Sequence, residues 1–118
     1  MNFTYDKNKP ASNLFEKGKV FPLEQTVEYT SGGVVSKQLT KSPAGNLTLF
    51  SFDEGQGLSE HTAPFDATVL VLDGEAEITI GGAPHIVQKG EAIIMPANVS
   101  HALHAVKPFK MLLIMIKG

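Results

Sequence analysis

Histidine side chains are the groups in this chain that are best suited to chemistry. Four are present, and the chain has no cysteine. The lack of cysteine excludes disulfides, thiolate metal sites and a thiol nucleophile. The sequence also lacks a Ser–His–Asp spacing, a glycine-rich phosphate loop and a Cys-x-x-Cys motif. An imidazole titrates near pH ~6.5 and can serve as an acid, a base or a metal ligand, so imidazole chemistry is the first candidate.

Two stretches of the chain place two of these histidines in family motifs. Residues 55–74 read GQGLSEHTAPFDATVLVLDG and resemble the first motif of the cupin family, G-x5-H-x-H-x3,4-E-x6-G. Residues 90–105 read GEAIIMPANVSHALHA and resemble its second motif, G-x5-P-x-G-x2-H-x3-N. The matching positions are Gly55, His61, Gly74, Gly90, Pro96 and His101. The resemblance implies an all-β cupin fold, a double-stranded β-helix or jelly-roll-like small barrel, with His61 and His101 inside it.

The resemblance also implies a metal site, and half of its ligands are missing from this chain. Metal-binding cupins hold Mn, Fe, Ni, Zn or a similar ion with three histidines and one glutamate. Ala63 stands at the second histidine position and Ala67 at the glutamate position, so His61 and His101 are the two ligands carried over. Two neutral imidazoles seldom form a tight site alone. We therefore expect no cofactor, with a divalent metal (Mn, Fe, Ni or Zn) on His61 and His101 as the alternative.

Other polar side chains lie near the motifs but have the wrong strand parity. Asp66 adjoins Ala67, and His104 is three residues after His101, so in regular strands both would point to the opposite face. A β-bulge would re-aim either of them by one residue. The sequence does not fix the orientation of His85. We expect His85 and His104 at the surface or at an interface.

Small side chains at the motif positions change what the barrel can hold. Three alanines replace larger polar residues, namely Ala63, Ala67 and Ala105. Simple loss of a metal site would explain them, and so would a cavity opened for an organic ligand. We expect His61 and His101 at the floor of an apolar cavity, with Phe65 and Met95 as further ligand-binding residues and Phe65 at the rim. Ordinary core packing also accounts for Phe65 and Met95.

Short strands are the elements that must position these residues. Turn-forming residues recur along the chain, among them residues 53–57 and Asp73-Gly74. Eight strand-like runs lie between the turns: residues 34–40, 47–52, 68–72, 76–80, 86–88, 92–95, 101–106 and 111–116. This spacing predicts a sandwich or barrel. We expect an N-terminal arm over residues 1–20 and a single cupin β-barrel domain over residues 21–118.

Two of the predicted strands are apolar on both faces. They are residues 69–72 and residues 111–116. Because successive side chains point to opposite faces, both faces of these strands must be covered. One face can line the barrel interior, and the other needs a second layer, the N-terminal arm or another subunit. We predict a homodimer, since an uncovered apolar strand in so small a chain is an aggregation hazard.

The composition is that of one soluble globular domain. The chain has 118 residues, a formal net charge of −2, 42% hydrophobic residues and 19% charged residues. We expect no nucleic-acid partner, because the basic residues are few and scattered. The longest apolar run is far shorter than the ~20 residues of a membrane-spanning helix, so we expect no membrane partner. The first residues lack the apolar core of a secretory signal, which predicts a cytoplasmic protein.

Three functions are compatible with these features. The leading hypothesis is a module that binds a small organic molecule in the barrel cavity, without a full metal site and without catalysis. The second is a cupin enzyme of the isomerase, lyase or dioxygenase type, either metal-dependent or histidine-based, acting on a small carboxylate or sugar-like substrate. The third is a structural or interaction module that uses the two-faced apolar strands. The fold does not decide among them, because one barrel hosts unrelated activities.

Overall fold

The computed structural model describes residues 15–117, and within them the regular structure is almost entirely β-strand. The strands are β1 (Val34–Ser42), β2 (Gly45–Phe52), β3 (Gly57–His61), β4 (Ala67–Ile80), β5 (Ala83–Gln88), β6 (Ala92–Met95), β7 (His101–His104) and β8 (Phe109–Ile116). A 3-10 helix, Glu24–Thr26, precedes them. The predicted all-β fold is confirmed. No helix among these residues is long and apolar enough to span a membrane.

Strand β4 connects the two halves of the sheet. It has 14 residues, and its first half pairs with β8 and β6 while its second half pairs with β7 and β5. The main path of the sheet runs β1-β2-β8-β4-β7-β3, with every pair antiparallel. Because β4 belongs to both halves, its bend sets the angle at which the sheet curls around the core.

A bulge replaces one of the predicted turns. The sequence predicted a turn at Asp73-Gly74 between two strands. This is wrong, because β4 continues through these residues without a break. The register with β8 shifts between Val71 and Asp73 instead. Gly74 has a φ of 75°, and a Cβ at this position would lie 1.9 Å from the carbonyl oxygen of Pro108. Glycine therefore bends the strand rather than ending it.

Strand β3 is absent from the sequence-based prediction, which assigned no strand to residues 57–61. Its residues GLSEH lack an alternating apolar pattern, and all except Leu58 are exposed. The strand is held at the end of the sheet by pairing with β7. Because an edge strand of this kind buries little apolar surface, its hydrophobic pattern is weak. The strand carries His61, so the omission matters for the site.

The hydrophobic core lies between the two halves of the curled sheet. Phe52 and Phe109 stack there with ring centroids 4.5 Å apart and are both fully buried. Alternate residues of β4 face the same core, as the burial pattern of its first half shows. The alternation is that of a strand with one face inside a barrel.

The segment before β1 covers part of the outer face of the sheet. Val27 is fully buried, the Ser51 hydroxyl donates a hydrogen bond to the Glu28 carbonyl at 2.7 Å, and Lys110 Nζ donates to the Glu24 carbonyl at 2.9 Å. The chain thus covers one end of the outer face of β2 and β8 with its own residues. Residues 1–14 of the predicted N-terminal arm lie outside the described residues.

Candidate functional site

Two histidines from neighbouring strands meet at one end of the barrel. His61 is the last residue of β3 and His101 the first of β7, and the two are directly paired in the register. Their Nε2 atoms are 3.2 Å apart, with the ring centroids 4.4 Å apart and the rings inclined at 71°. Directly opposed residues of an antiparallel pair share a face, which brings the two imidazoles together.

A bulge in β3 produces this pairing. Leu58 pairs with Leu103 and His61 with His101, so three steps along β3 correspond to two steps along β7. Without the extra residue, Glu60 would stand opposite His101. The bulge therefore turns His61 to the face that Leu58 occupies. Sequence parity alone gives no sign of it.

The two imidazoles differ in their exposure to solvent. His101 is 3% exposed, whereas His61 is an exposed residue. The expectation that both lie at the floor of the cavity is therefore wrong for His61, which lies at the rim. The strand that carries it is an edge strand, and its end is open to solvent.

The neutral pair has fewer protons than hydrogen-bond contacts. His61 Nδ1 donates to the Ser59 carbonyl at 2.7 Å, so its Nε2 is an acceptor. His101 then has one proton for two neighbours: the Val99 carbonyl, 3.3 Å from its Nδ1, and His61 Nε2, 3.2 Å from its own Nε2. Three contacts share two protons. A hydrogen-bond donor or a cation in the cavity would complete the set.

The protein environment favours the neutral form of His101. Burial lowers the pKa of His101 below its ordinary value of 6.5, and the charge of His61 lowers it further, while the bond to the Val99 carbonyl acts in the opposite direction. The proton deficit described above belongs to the pair in which both imidazoles are neutral.

A cavity of about 140 Å³ adjoins the pair. The sequence-predicted residues His61, His101, Phe65 and Met95 all line it, and so do Ala63 and Ala67. The rest of the wall comes from Leu58, Leu103, Met111, Leu113 and Met115. The sequence analysis did not place Met111 and Met115 in the cavity. Their strand is apolar on both parities, so the residue pattern could not say which face is inside.

The side chains of this cavity do not supply the ligand set of three histidines and one glutamate that the motif resemblance implies. Methyl groups of Ala63 and Ala67 line the wall where that set has a histidine and a glutamate. Within residues 15–117, no three His, Cys, Asp or Glu side chains lie close enough to share a metal ion. Only the two imidazoles of the set are present, and a divalent site normally has three or four protein ligands.

The remaining candidate side chains lie outside the cavity. His85 and His104 are exposed. Asp66 is exposed as well, and its Oδ1 accepts a hydrogen bond from the Ala97 amide at 2.8 Å. The carboxylate therefore organises the loop after β6 rather than the imidazole pair.

One departure from the second motif lies at a position with a left-handed backbone conformation. Asn98 stands at the motif's glycine position and has a φ of 64°, a left-handed conformation that asparagine tolerates better than most residues. Its amide donates to the Ala63 carbonyl at 2.8 Å, which ties the two motifs together at the mouth of the cavity.

Comparison with known proteins identifies chains of the same fold. The chain is 39% identical to a conserved protein of unknown function from Streptococcus pyogenes, with 94% of this chain and 97% of that chain covered and a TM-score of 0.85. A cupin superfamily protein from Desulfitobacterium hafniense is 30% identical over 88% of this chain and 95% of that chain, with a TM-score of 0.82.

A third structure is a cupin 2 conserved barrel domain protein from Leptotrichia buccalis. It is 47% identical with a TM-score of 0.80, and the match covers 82% of this chain but 47% of that one, so the present chain spans about half of its length. No curated protein matches the chain. The family model of the cupin domain matches residues 48–116, which include both strands that carry the histidine pair. The chain belongs to the cupin family.

Proposed function

We propose that the cavity beside His61 and His101 binds a small organic molecule without the metal of the metal-binding cupins. The single observation that carries the proposal is the distribution of polar groups around the cavity. The two imidazoles meet at one end of it, and the other lining side chains are aliphatic, aromatic or thioether groups. An apolar cavity with a few convergent polar groups is the usual form of a small-molecule site.

The volume of the cavity limits the size of the ligand. A cavity of about 150 Å³ lined by apolar side chains holds benzene, and the present one is of similar size, about 140 Å³. A sugar ring carries hydroxyl groups on all sides, and most of them would meet aliphatic walls without a partner, which is costly. The cavity therefore favours a short-chain or single-ring compound with one polar end.

The imidazole pair determines the preferred polar group. Because the neutral pair lacks one proton for its three contacts, a ligand hydroxyl can donate to an Nε2 lone pair. A carboxylate has no proton to donate, so beside the neutral pair it would face the Nε2 lone pairs without a hydrogen bond. The neutral pair thus favours alcohols and phenols over carboxylates.

A thermal-shift screen with matched compounds tests the proposal. We expect phenol and small alcohols to raise the melting temperature, and benzene and the corresponding alkanes to raise it less. His61→Ala and His101→Ala should remove the difference between phenol and benzene, whereas His85→Ala, at an exposed position on β5, should retain it. Equal shifts for phenol and benzene in the wild-type protein would contradict the role of the pair. The absence of any shift would favour an interaction module.

A histidine-based enzyme is the second candidate, and the lowered pKa of His101 is the observation in its favour. A neutral imidazole in a small apolar cavity can accept a proton from a bound substrate at neutral pH. Any compound found in the screen should then be incubated with the protein in D₂O and analysed by NMR. Deuterium incorporated at a carbon atom of the compound, and not incorporated with His101→Ala, would establish the enzyme, because hydroxyl protons exchange with D₂O without a catalyst. An unchanged compound would support a binding module.

We also propose that the protein forms a homodimer through the outer face of β8. The segment before β1 covers the end of this face near Lys110, but Ile94 and Ile116 are 60% and 69% exposed at the other end. Ile114 lies between them and lines two shallow concavities of the surface. A second copy of the chain would cover these residues. Light scattering should give about twice the mass of one chain, and a soluble monomer would contradict the proposal.

A further inference from the structure

The methionines of this chain are concentrated around the cavity. The chain has four methionines, and the three in the described part of the chain, Met95, Met111 and Met115, all line the cavity beside the histidine pair. They come from two different strands, β6 and β8. Methionine is a common core residue, but its thioether is also a soft ligand for metal ions.

We infer that His61, His101 and two of the cavity methionines bind a soft monovalent cation, with Cu(I) as the ion that this ligand chemistry selects. The inference goes beyond the binding of an organic molecule and does not depend on it. It rests on four features of the site: the separation of the imidazoles, the partners of their other nitrogens, the remaining donor atoms and the absence of charge in the wall.

The separation of the two imidazoles suits a shared ion. With metal–nitrogen bonds of about 2.0–2.1 Å, two nitrogens 3.2 Å apart subtend an angle of about 100° at one ion. An angle near this value is that of a roughly tetrahedral ion, which needs further ligands, rather than of a linear two-coordinate ion. The pair therefore supplies half of a four-coordinate site.

The other ring nitrogens have the partners that metal-binding histidines have. His61 Nδ1 is 2.7 Å from the Ser59 carbonyl, and His101 Nδ1 is 3.3 Å from the Val99 carbonyl. Each carbonyl belongs to the residue two positions earlier on the same strand or in the loop before it. A proton on each Nδ1 leaves both Nε2 lone pairs free, which is the tautomer that a metal ligand needs.

The remaining donor atoms in the wall are soft. Among the eleven described side chains that line the cavity, those with a donor atom are the two histidines and the three methionines. Thioethers favour Cu(I), whereas Mn and Mg prefer oxygen ligands and Zn takes nitrogen, thiolate or carboxylate ligands. The side chains that would complete the site therefore select against the metals of the usual cupin ligand set.

The lack of carboxylates in the described cavity wall also favours a monovalent ion. No carboxylate is among the described lining residues, so a bound ion would keep its full charge in apolar surroundings. The cost of moving an ion from water into such surroundings rises with the square of its charge in the Born description. A monovalent ion is therefore less costly than a divalent one in this cavity.

Anaerobic titration with Cu(I) in competition with the chromophoric chelator bicinchoninate tests the inference. We expect one Cu(I) per chain, and X-ray absorption of the loaded protein should show both nitrogen and sulfur neighbours. Zn(II) or Mn(II) in tenfold excess should not displace Cu(I). A site with nitrogen neighbours only, or displacement of Cu(I) by Zn(II), would overturn the inference.

Variants of matched volume separate ligation from packing. Met95→Leu, Met111→Leu and Met115→Leu keep the apolar volume, and at least one of them should weaken Cu(I) binding tenfold or more. Leu49→Met, which adds a thioether at a buried site outside the cavity wall, should leave the affinity unchanged. If all three leucine variants bind Cu(I) as tightly as the wild type, the methionines are packing residues and the inference fails. The X-ray absorption measurement on the wild type decides the question even if a variant does not fold.

Discussion

The inner cavity and the outer concavity at the same end of the barrel both contain apolar residues but differ in their polar groups. The inner cavity has a volume of about 140 Å³ and contains the histidine pair. The outer concavity measures about 500 Å³ and is open to solvent. Its wall combines the apolar residues Ile94, Ile114 and Ile116 with the polar residues Asp66 and Thr68. Phe65 lines both.

Strand β8 contributes side chains to both the inner cavity and the outer concavity. Leu113 of β8 lines the inner cavity, and the next residue, Ile114, lines the outer concavity. Both are apolar, so hydrophobicity alone does not separate a ligand site from a docking surface. The inner cavity is enclosed and contains two imidazoles, which favours a small molecule or an ion. The outer concavity is open and has the exposed side chains of Ile94 and Ile116, which suits contact with a macromolecular surface. Neighbouring substitutions can test this division.

The largest effect is expected from a charge placed inside. Leu113 is 9% exposed, so Leu113→Lys should lower the free energy of unfolding by about 3–5 kcal/mol, the loss typical of an unpaired buried charge. Urea denaturation measures it. Leu113→Met is the control, since a swap that keeps the volume costs less than about 1.5 kcal/mol. Equal stability of the two variants would place Leu113 outside the cavity.

The next effect comes from rebuilding the usual ligand set in the inner cavity. Ala63→His with Ala67→Glu adds the two missing ligands to His61 and His101. At several hundred times the dissociation constant, Mn, Ni or Zn should stabilise the double variant by about 3–4 kcal/mol, after an overpacking loss of about 1–3 kcal/mol in its metal-free form.

The wild-type protein is the control for this rebuilt site. It should gain little stability from the same three ions, because its wall offers them two nitrogen ligands. A thermal shift with each ion measures both proteins. A double variant that folds but gains nothing would mean that one or both alanines do not face the imidazoles.

A smaller effect is expected on the pH dependence of stability. The pKa of His101 is lower in the folded state than its ordinary value of 6.5, so the unfolded chain binds the proton more readily. The contribution of His101 to stability is present above pH 6.5 and is lost as the pH falls below it. Urea denaturation from pH 5 to pH 8 should show this decline, and His101→Gln should flatten it. Parallel curves for the two proteins would contradict the assignment.

The smallest effect on stability is expected outside. Ile116→Lys places its charge in the open concavity at a residue that is 69% exposed, where a substitution changes the unfolding free energy of one chain by only about 0.5 kcal/mol. It should nevertheless convert the proposed dimer into a monomer, because the charge would be buried between two copies. Light scattering measures the change in mass. A variant that stays dimeric would place the interface elsewhere on the molecule.

Several features of this protein follow from the sequence alone. Regularly spaced turns and short apolar runs predict an all-β barrel, and the two glycine-bounded motifs select His61 and His101 from four histidines. The missing ligands at Ala63 and Ala67 are also visible there. Such features depend on residue type and local spacing, which the chain carries whatever its fold.

The tertiary structure alone decided how these residues meet. The bulge in β3 that turns His61 toward His101 forms where β3 pairs with β7. Residue 74 of β4 must be glycine because the Pro108 carbonyl lies where a Cβ would be. The inward face of β8, with Met111 and Met115, is chosen by its neighbours. An apolar strand has two equivalent faces until other strands cover one of them, so only the packed sheet determines which side chains surround the imidazole pair.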